Sequence, residues 1–232
     1  MASPGSTSAP SVRDVRALRS EATDFVHSVI KVVVGPHDAS RTFFVHEKLV
    51  VERAPFFERA LNGQWKESDD KLVELPDDDP DVFFLYLQLL YTTKLHTRSN
   101  EPNKTSREYK RLVKLYVLAE KLQDVQTRNI VIEAMIAKTR DEESFPPSSI
   151  HLIYDGTPEG SPLRKLVVDL FTDFALPVDI QRIQRIKARE RMPPQDFFLD
   201  LLLEFSQRRP KPSGETIFTC DPTKYHVKEP DA

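Results

Sequence analysis

The sequence predicts an α+β fold, in which a helical cluster is flanked by a short three-stranded sheet and followed by a further helical segment. Three observations carry this prediction. Three strand-like stretches fall in the first third of the chain, the β-branched run Val29–Val34, Arg41–Val45 and the short Leu72–Leu75. From His46 onward the apolar residues recur mainly at helical intervals. One segment, Val82 to Tyr91, is apolar nearly all the way round, as expected of a helix at the centre of a domain.

Ahead of the sheet, Val12, Val15, Leu18, Ala22 and Phe25 recur every three or four residues and form one stripe of a short helix. That stripe needs a partner surface, either within the chain or on another protein. The first strand then runs through Ile30 to Val34 and stops at Gly35-Pro36, and the second resumes at Arg41-Thr42-Phe43-Phe44-Val45 after a polar link. Leu49 and Val50 form the apolar edge of a helix that ends near Ala54. Pro55 starts the next helix, because the first turn does not need the N–H that proline lacks, and Asn62-Gly63 supplies a left-handed stop.

Leu72–Leu75 reads as a short third strand closed by Pro76. The acidic run Asp77-Asp78-Asp79-Pro80-Asp81 then prepares a helix start, where carboxylates satisfy free N–H groups and favour the helix dipole. This electrostatic role suffices, so no metal site is assigned to the run. Residues 94–106 read as a polar loop, and Thr105 with Glu108 matches a capping box opening a helix that bears Leu112, Val113, Tyr116, Ala119 and Leu122. Asp124 caps another helix carrying Val125, Ile130, Ala134 and Met135.

Further on, Ser161-Pro162 opens a helix with Leu163, Leu166, Val167, Leu170, Phe171 and Phe174. Phe197, Phe198, Leu201, Leu202 and Phe205 mark another. The expected organisation is a flexible start and short helix over 1–27, one compact domain over 28–140, a helical extension over 141–207, and a loose tail rich in proline and charge over 208–232. The central core is expected to gather Phe44, His46, Leu49, Phe56, Phe57, Phe83, Leu87, Leu90, Tyr116, Ala119 and Leu122.

The totals narrow the function classes. A chain of 232 residues with 39% hydrophobic and 30% charged residues lies near the globular norm. Lys and Arg number 33 against 36 Asp and Glu, so no net field concentrates a polyanion, which disfavours nucleic acid as a partner. A basic cluster at Arg182, Arg185, Lys187, Arg189 and Arg191 alternates with Ile180, Ile183 and Ile186. A helix with its isoleucines inward and a solvated basic face accounts for it.

The lone Cys220 can form no internal disulfide. No signal-like apolar stretch opens the chain, and no run of about 18 apolar residues suggests a membrane span. A reducing compartment, cytoplasm or nucleus, is therefore expected.

Catalytic motifs fail one by one. His46-Glu47 has Val50 where a zinc-protease helix needs its second histidine, and six dispersed glycines make no phosphate-cradling loop. There is no Gly-x-Ser-x-Gly elbow, and Cys220 falls in the expected tail with nothing to hold a base against it. No enzyme, cofactor, metal or small-molecule substrate is expected, although catalytic groups assembled only in space escape such a scan.

Taken together, these stretches resemble the BTB/POZ family over roughly residues 28–138. The resemblance rests on Ile30–Gly35, Phe44-Val45-His46-Glu47-Lys48-Leu49-Val50, Ala54-Pro55-Phe56-Phe57, Trp65-Lys66-Glu67-Ser68, Leu75-Pro76 before Asp79-Pro80, and Phe83–Thr92. Leu115-Tyr116-Val117-Leu118-Ala119-Glu120-Lys121-Leu122 continues it, and the variant is similar to the large fungal BTB group. The chain departs from the family pattern at Ser28, where an acidic residue is usual, and at Thr93, where a Tyr-Thr-Gly step would put glycine. Its loop over 96–106 is expanded.

The resemblance implies a protein-docking domain that can form a homodimer and that, in many members, recruits a cullin-type ubiquitin ligase. By position the cullin contact maps onto Trp65-Lys66-Glu67, with Trp65 and Glu67 as the contacting residues; Trp65 folded back over Phe56 and Phe57 is the alternative. Val15, Leu18 and Phe25 are the implied dimer contact. Kelch, zinc-finger and MATH segments, which often read the substrate in such proteins, are missing from these residues, so the later helices either do that work or pack on the domain. A scaffold or transcription co-regulator without a ligase link is the other reading.

Overall fold

The computed structural model describes residues 18–19, 28–62, 71–98, 105–142, 149–184 and 192–208. By its contacts the chain divides into two compact units, residues 1–77 and 78–232. The helices after residue 140 share a unit with those of residues 78–140.

In the first unit, β1 (Val29–Val34) pairs antiparallel with β2 (Arg41–His46) and parallel with β3 (Leu72–Leu75), giving the order β2-β1-β3. Side chains alternate across a strand, and Ile30, Val32 and Val34 are fully buried on one face. Val45 lies opposite Ile30 and is buried with it, whereas Phe44 lies opposite Lys31 on the other face and is 73% exposed. Phe44 is therefore not a core residue: a neighbour one position along a strand always faces the other way.

Helix α1 (Glu47–Arg53) follows β2 directly and buries Val50, while His46 and Leu49 are half-buried. Helix α2 (Pro55–Asn62) begins on its proline and buries Phe57. The half-buried Phe56 meets Phe57 edge-on at 5.4 Å.

Ser28, just before β1, donates through its hydroxyl to the Glu47 carboxylate and accepts from the Lys71 ammonium at 2.7 Å. Lys71 also pairs with Glu47 at 2.9 Å. The three side chains tie together the starts of β1, α1 and β3.

The second unit opens with α3 (Pro80–Thr92). Asp79 caps it by accepting the Asp81 N–H at 3.0 Å, and Pro80 occupies the first turn. Val82, Phe83, Leu85, Tyr86, Leu87, Leu89 and Leu90 are buried. The helix is not buried all round, however, for Phe84 is 49% exposed and Tyr91 40%. It ends on Thr93 at φ 56°, a left-handed conformation that relieves crowding only for glycine.

Helix α4 (Thr105–Leu122) buries Leu112, Val113, Tyr116, Ala119 and Leu122. It closes in a Schellman turn: the Asp124 N–H donates to the Ala119 carbonyl at 2.9 Å and Gln123 takes the left-handed position. Asp124 then caps α5 (Val125–Glu142) through the Thr127 N–H at 2.8 Å.

Lys138, buried on α5, lies between Glu108 at 2.8 Å and Glu142 at 2.5 Å, with the Tyr109 ring 5.0 Å away. Burial alone depresses the ammonium's pKa, but hydrogen bonds to the two carboxylates outweigh it and hold it above its ordinary value.

Helices α6 (Ile150–Gly156), α7 (Pro162–Phe174), α8 (Pro177–Gln184) and α9 (Gln195–Arg208) complete the unit. Phe197 of α9 is the hinge of their packing, edge-on to Phe171 at 5.1 Å and to Tyr154 at 5.8 Å. Tyr154 donates to Asp200 at 2.6 Å, and burial followed by that carboxylate pushes its hydroxyl pKa up.

Gly156 lets α6 approach α4 so closely that a Cβ there would stand 2.5 Å from Val117. Arg208, expected to begin the tail, instead ends α9 and bonds Asp169, Asp173 and Glu204. On α8, Ile183 is buried but Ile180 is exposed, which corrects the expectation that both face inward.

Candidate interaction surfaces

Two surfaces of the second unit stand out from the packing just described. The first is a groove of about 530 Å³ between α3 and α4. Its α4 wall carries Arg107, Lys110, Arg111 and Lys114, spaced i, i+3, i+4 and i+7, so that all four fall on one face of the helix. Its α3 wall carries Asp81, Phe84 and Gln88, with Asp79 at one end.

Lys114 bonds Asp79 at 2.6 Å. Burial raises the Asp79 carboxyl's pKa, but the Lys114 ammonium and the N–H groups of Asp81 and Val82 outweigh it and hold it below its ordinary value of 3.8. One end of the groove is thus neutralised internally. Among the described residues, Arg107, Lys110 and Arg111 have no carboxylate within ion-pair distance.

The second surface is the outward side of α9. Phe197 and Leu201 are buried, but Phe198, Leu199, Leu202, Leu203 and Phe205 are exposed, from 37% at Phe198 to 65% at Leu202. At 3.6 residues per turn these five span an arc of about 160°. Of the apolar residues expected on this helix, Phe197 and Leu201 are covered, and Phe198, Leu202 and Phe205 are not.

Of the residues singled out from the sequence, Leu18 is 67% exposed. Val15, Phe25, Trp65 and Glu67 lie outside the described residues, as do Ile186, Arg185, Lys187, Arg189, Arg191 and Cys220. The α4 row was not singled out, although its spacing is readable as a helical stripe of cations. Among the described residues no three His, Cys, Asp or Glu side chains are grouped to hold a metal ion, and no helix is long and apolar enough to cross a membrane.

The BTB/POZ domain family model matches residues 21–138, just over half of the chain, from the segment ahead of β1 to the last turns of α5. The chain belongs to the BTB/POZ family. Its fold is the BTB/POZ fold, and its domain is a protein–protein interaction module. Among solved structures it is similar to the BTB domain of zebrafish PATZ1, at 21% identity and a TM-score of 0.33, covering 46% of this chain and 75% of that one. No curated protein matches the chain. In this BTB/POZ protein the family match ends within α5, and α6 to α9 are additional helices packed in the same unit as α3 to α5.

Proposed function

We propose that this BTB/POZ protein is a dimerising docking adaptor that works in the cytoplasm or nucleus, and that two copies meet through the outward face of α9. The observation that carries the pairing is the run of Phe198, Leu199, Leu202, Leu203 and Phe205 facing solvent. A Phe or Leu side chain offers on the order of 150–200 Å², so these five expose roughly 500 Å² of contiguous apolar surface. That reaches the upper range of the largest patch on an ordinary monomer. A stable pair hides about 800 Å² on each partner, and a two-fold axis across α9 presents the same patch to itself.

The N-terminal stripe of Val15, Leu18 and Phe25 is the other candidate for the pairing, supported by the exposure of Leu18. A finer form of the proposal is recruitment of a cullin-type ubiquitin ligase through Trp65 and Glu67, between α2 and β3.

Light scattering on a sizing column tests the pairing. The wild type is expected at twice the 26.7 kDa chain mass, and Leu202→Asp at the single-chain mass. A wild type that runs as one chain at tens of micromolar rules dimerisation out. Dissociation by Leu18→Asp but not by Leu202→Asp moves the interface to the N-terminal stripe. For the ligase link, purified cullin is captured by wild type and lost with Glu67→Lys, while the dimer persists. If wild type captures none, the protein is a scaffold or co-regulator without that link.

A further inference from the structure

We infer that the groove between α3 and α4 binds an acidic peptide segment of a partner protein. The inference is independent of both the α9 pairing and the cullin link, because the groove shares no residue with either.

Partnering of charges is the rule in this unit. Lys114 has Asp79, Lys121 has Asp78 at 2.5 Å, Arg128 has Glu120 at 2.6 Å, and Lys138 has two glutamates. Arg107, Lys110 and Arg111, which line the groove, have no such ion pair with a described residue. They are exposed, stand on one face of α4, and repel one another there with no carboxylate of the described residues within ion-pair distance. A concave wall of guanidinium and ammonium groups suits carboxylate recognition, since arginine donates to both carboxylate oxygens in a fixed fork.

The remaining features of the groove say what else the ligand carries. From Arg107 to Lys114 the helix rises about 10 Å, which matches about three residues of extended chain. Across from the row, Phe84 holds an aromatic ring half out of solvent on a helix whose other apolar residues are nearly all buried. An apolar side chain of the ligand covers it.

At the far end Asp79 and Asp81 leave no room for more negative charge, so the segment's acids lie along Arg107–Arg111 and its direction is fixed. Those same aspartates, with a net chain charge of −3, argue against a nucleic-acid strand, which carries its charge along its whole length. The volume lies within the range of ordinary ligand clefts.

Fluorescence anisotropy on the full chain tests this. The probes are a short labelled peptide rich in Glu with one central Phe, its Gln counterpart, and a labelled single-stranded oligonucleotide of equal charge. The Glu peptide is expected to bind saturably and to weaken as salt rises, while the Gln peptide does not bind. Arg107→Glu combined with Arg111→Glu weakens binding by about tenfold or more. Phe84→Ser weakens it severalfold, and Lys165→Glu on α7 leaves it unchanged. Circular dichroism confirms that each variant is folded, which the exposure of the substituted residues favours. Absence of saturable binding, equal binding of the Gln peptide, indifference to the Arg107 and Arg111 reversals, or tighter binding of the oligonucleotide overturns the inference.

Discussion

Replacing Asp124 by alanine should cost this protein more than any ordinary helix cap. The residue is fully buried at the turn between α4 and α5. One carboxylate oxygen accepts the Thr127 N–H at 2.8 Å, and the other accepts the Thr127 hydroxyl at 2.7 Å and the Tyr86 hydroxyl at 3.1 Å. Losing the cap itself costs about 1 kcal/mol. Taking this acceptor away from two buried hydroxyls adds about 1 kcal/mol for each, so Asp124→Ala should lose about 3 kcal/mol. For a chain of this size that lowers the melting temperature by about 6–12 °C.

Asn at the same position keeps one acceptor and should lose only about 1 kcal/mol. Urea unfolding followed by circular dichroism measures both. The decisive comparison is the double variant with Tyr86→Phe: once the phenol is gone its bond to Asp124 cannot be lost a second time, so the two losses should fall short of additivity by about 1 kcal/mol. Strict additivity, or a loss below about 1 kcal/mol for Asp124→Ala, refutes the buried three-bond account.

Three further expectations follow from single positions. Thr93→Gly removes a β-branched side chain from φ 56° and should raise stability by about 1 kcal/mol, read as a higher melting temperature; a lower one refutes the strain. Gly156→Ala drives a methyl group to 2.5 Å from Val117 and should cost about 2 kcal/mol, whereas the same change made in a Val117→Ala background should cost little. Lys138 has a raised folded-state pKa, so its stabilisation is complete below its ordinary value of 10.5 and is lost as pH rises through the folded value above that. Lys138→Met should therefore flatten the stability profile above about pH 10.5, and an unchanged alkaline profile counts against the buried ion pairs.

Elements with a local signal were legible in the sequence. The strands at Val29–Val34 and Leu72–Leu75, the proline-started helices at Pro55 and Pro80, the Asp79 and Asp124 caps and the buried stripe of α4 all rest on neighbours within a few residues. Phe44 was misassigned because a strand buries every second residue, and sequence alone does not say whether Phe43 and Val45 or Phe44 take the inner face. Pairing against Ile30 and Val32 decides it. The departure at Thr93 was visible as a missing glycine, but its meaning, a left-handed residue without the freedom glycine has, needs the backbone angle.

The two surfaces were harder to read for one shared reason: a helix's pattern tells which residues lie together, not which arc is covered. On α9 nearly every turn is apolar, and only the packing of Phe197 onto Tyr154 and Phe171 shows that the opposite arc is left bare. On α4 the pattern is more informative than it first looks. Tyr109, Leu112, Val113 and Tyr116 are all buried, which fixes the rotation of the helix about its axis. Over these first turns of α4, Arg107, Lys110, Arg111 and Lys114 then lie together on the opposite side of the helix. Unlike Lys114, which is paired with Asp79, Arg107, Lys110 and Arg111 make no ion pair with a described residue, so reversing those three changes what the groove attracts and leaves the reason α4 sits where it does untouched. Binding and stability should consequently separate cleanly at these positions, as they should not at Asp124 or Lys138.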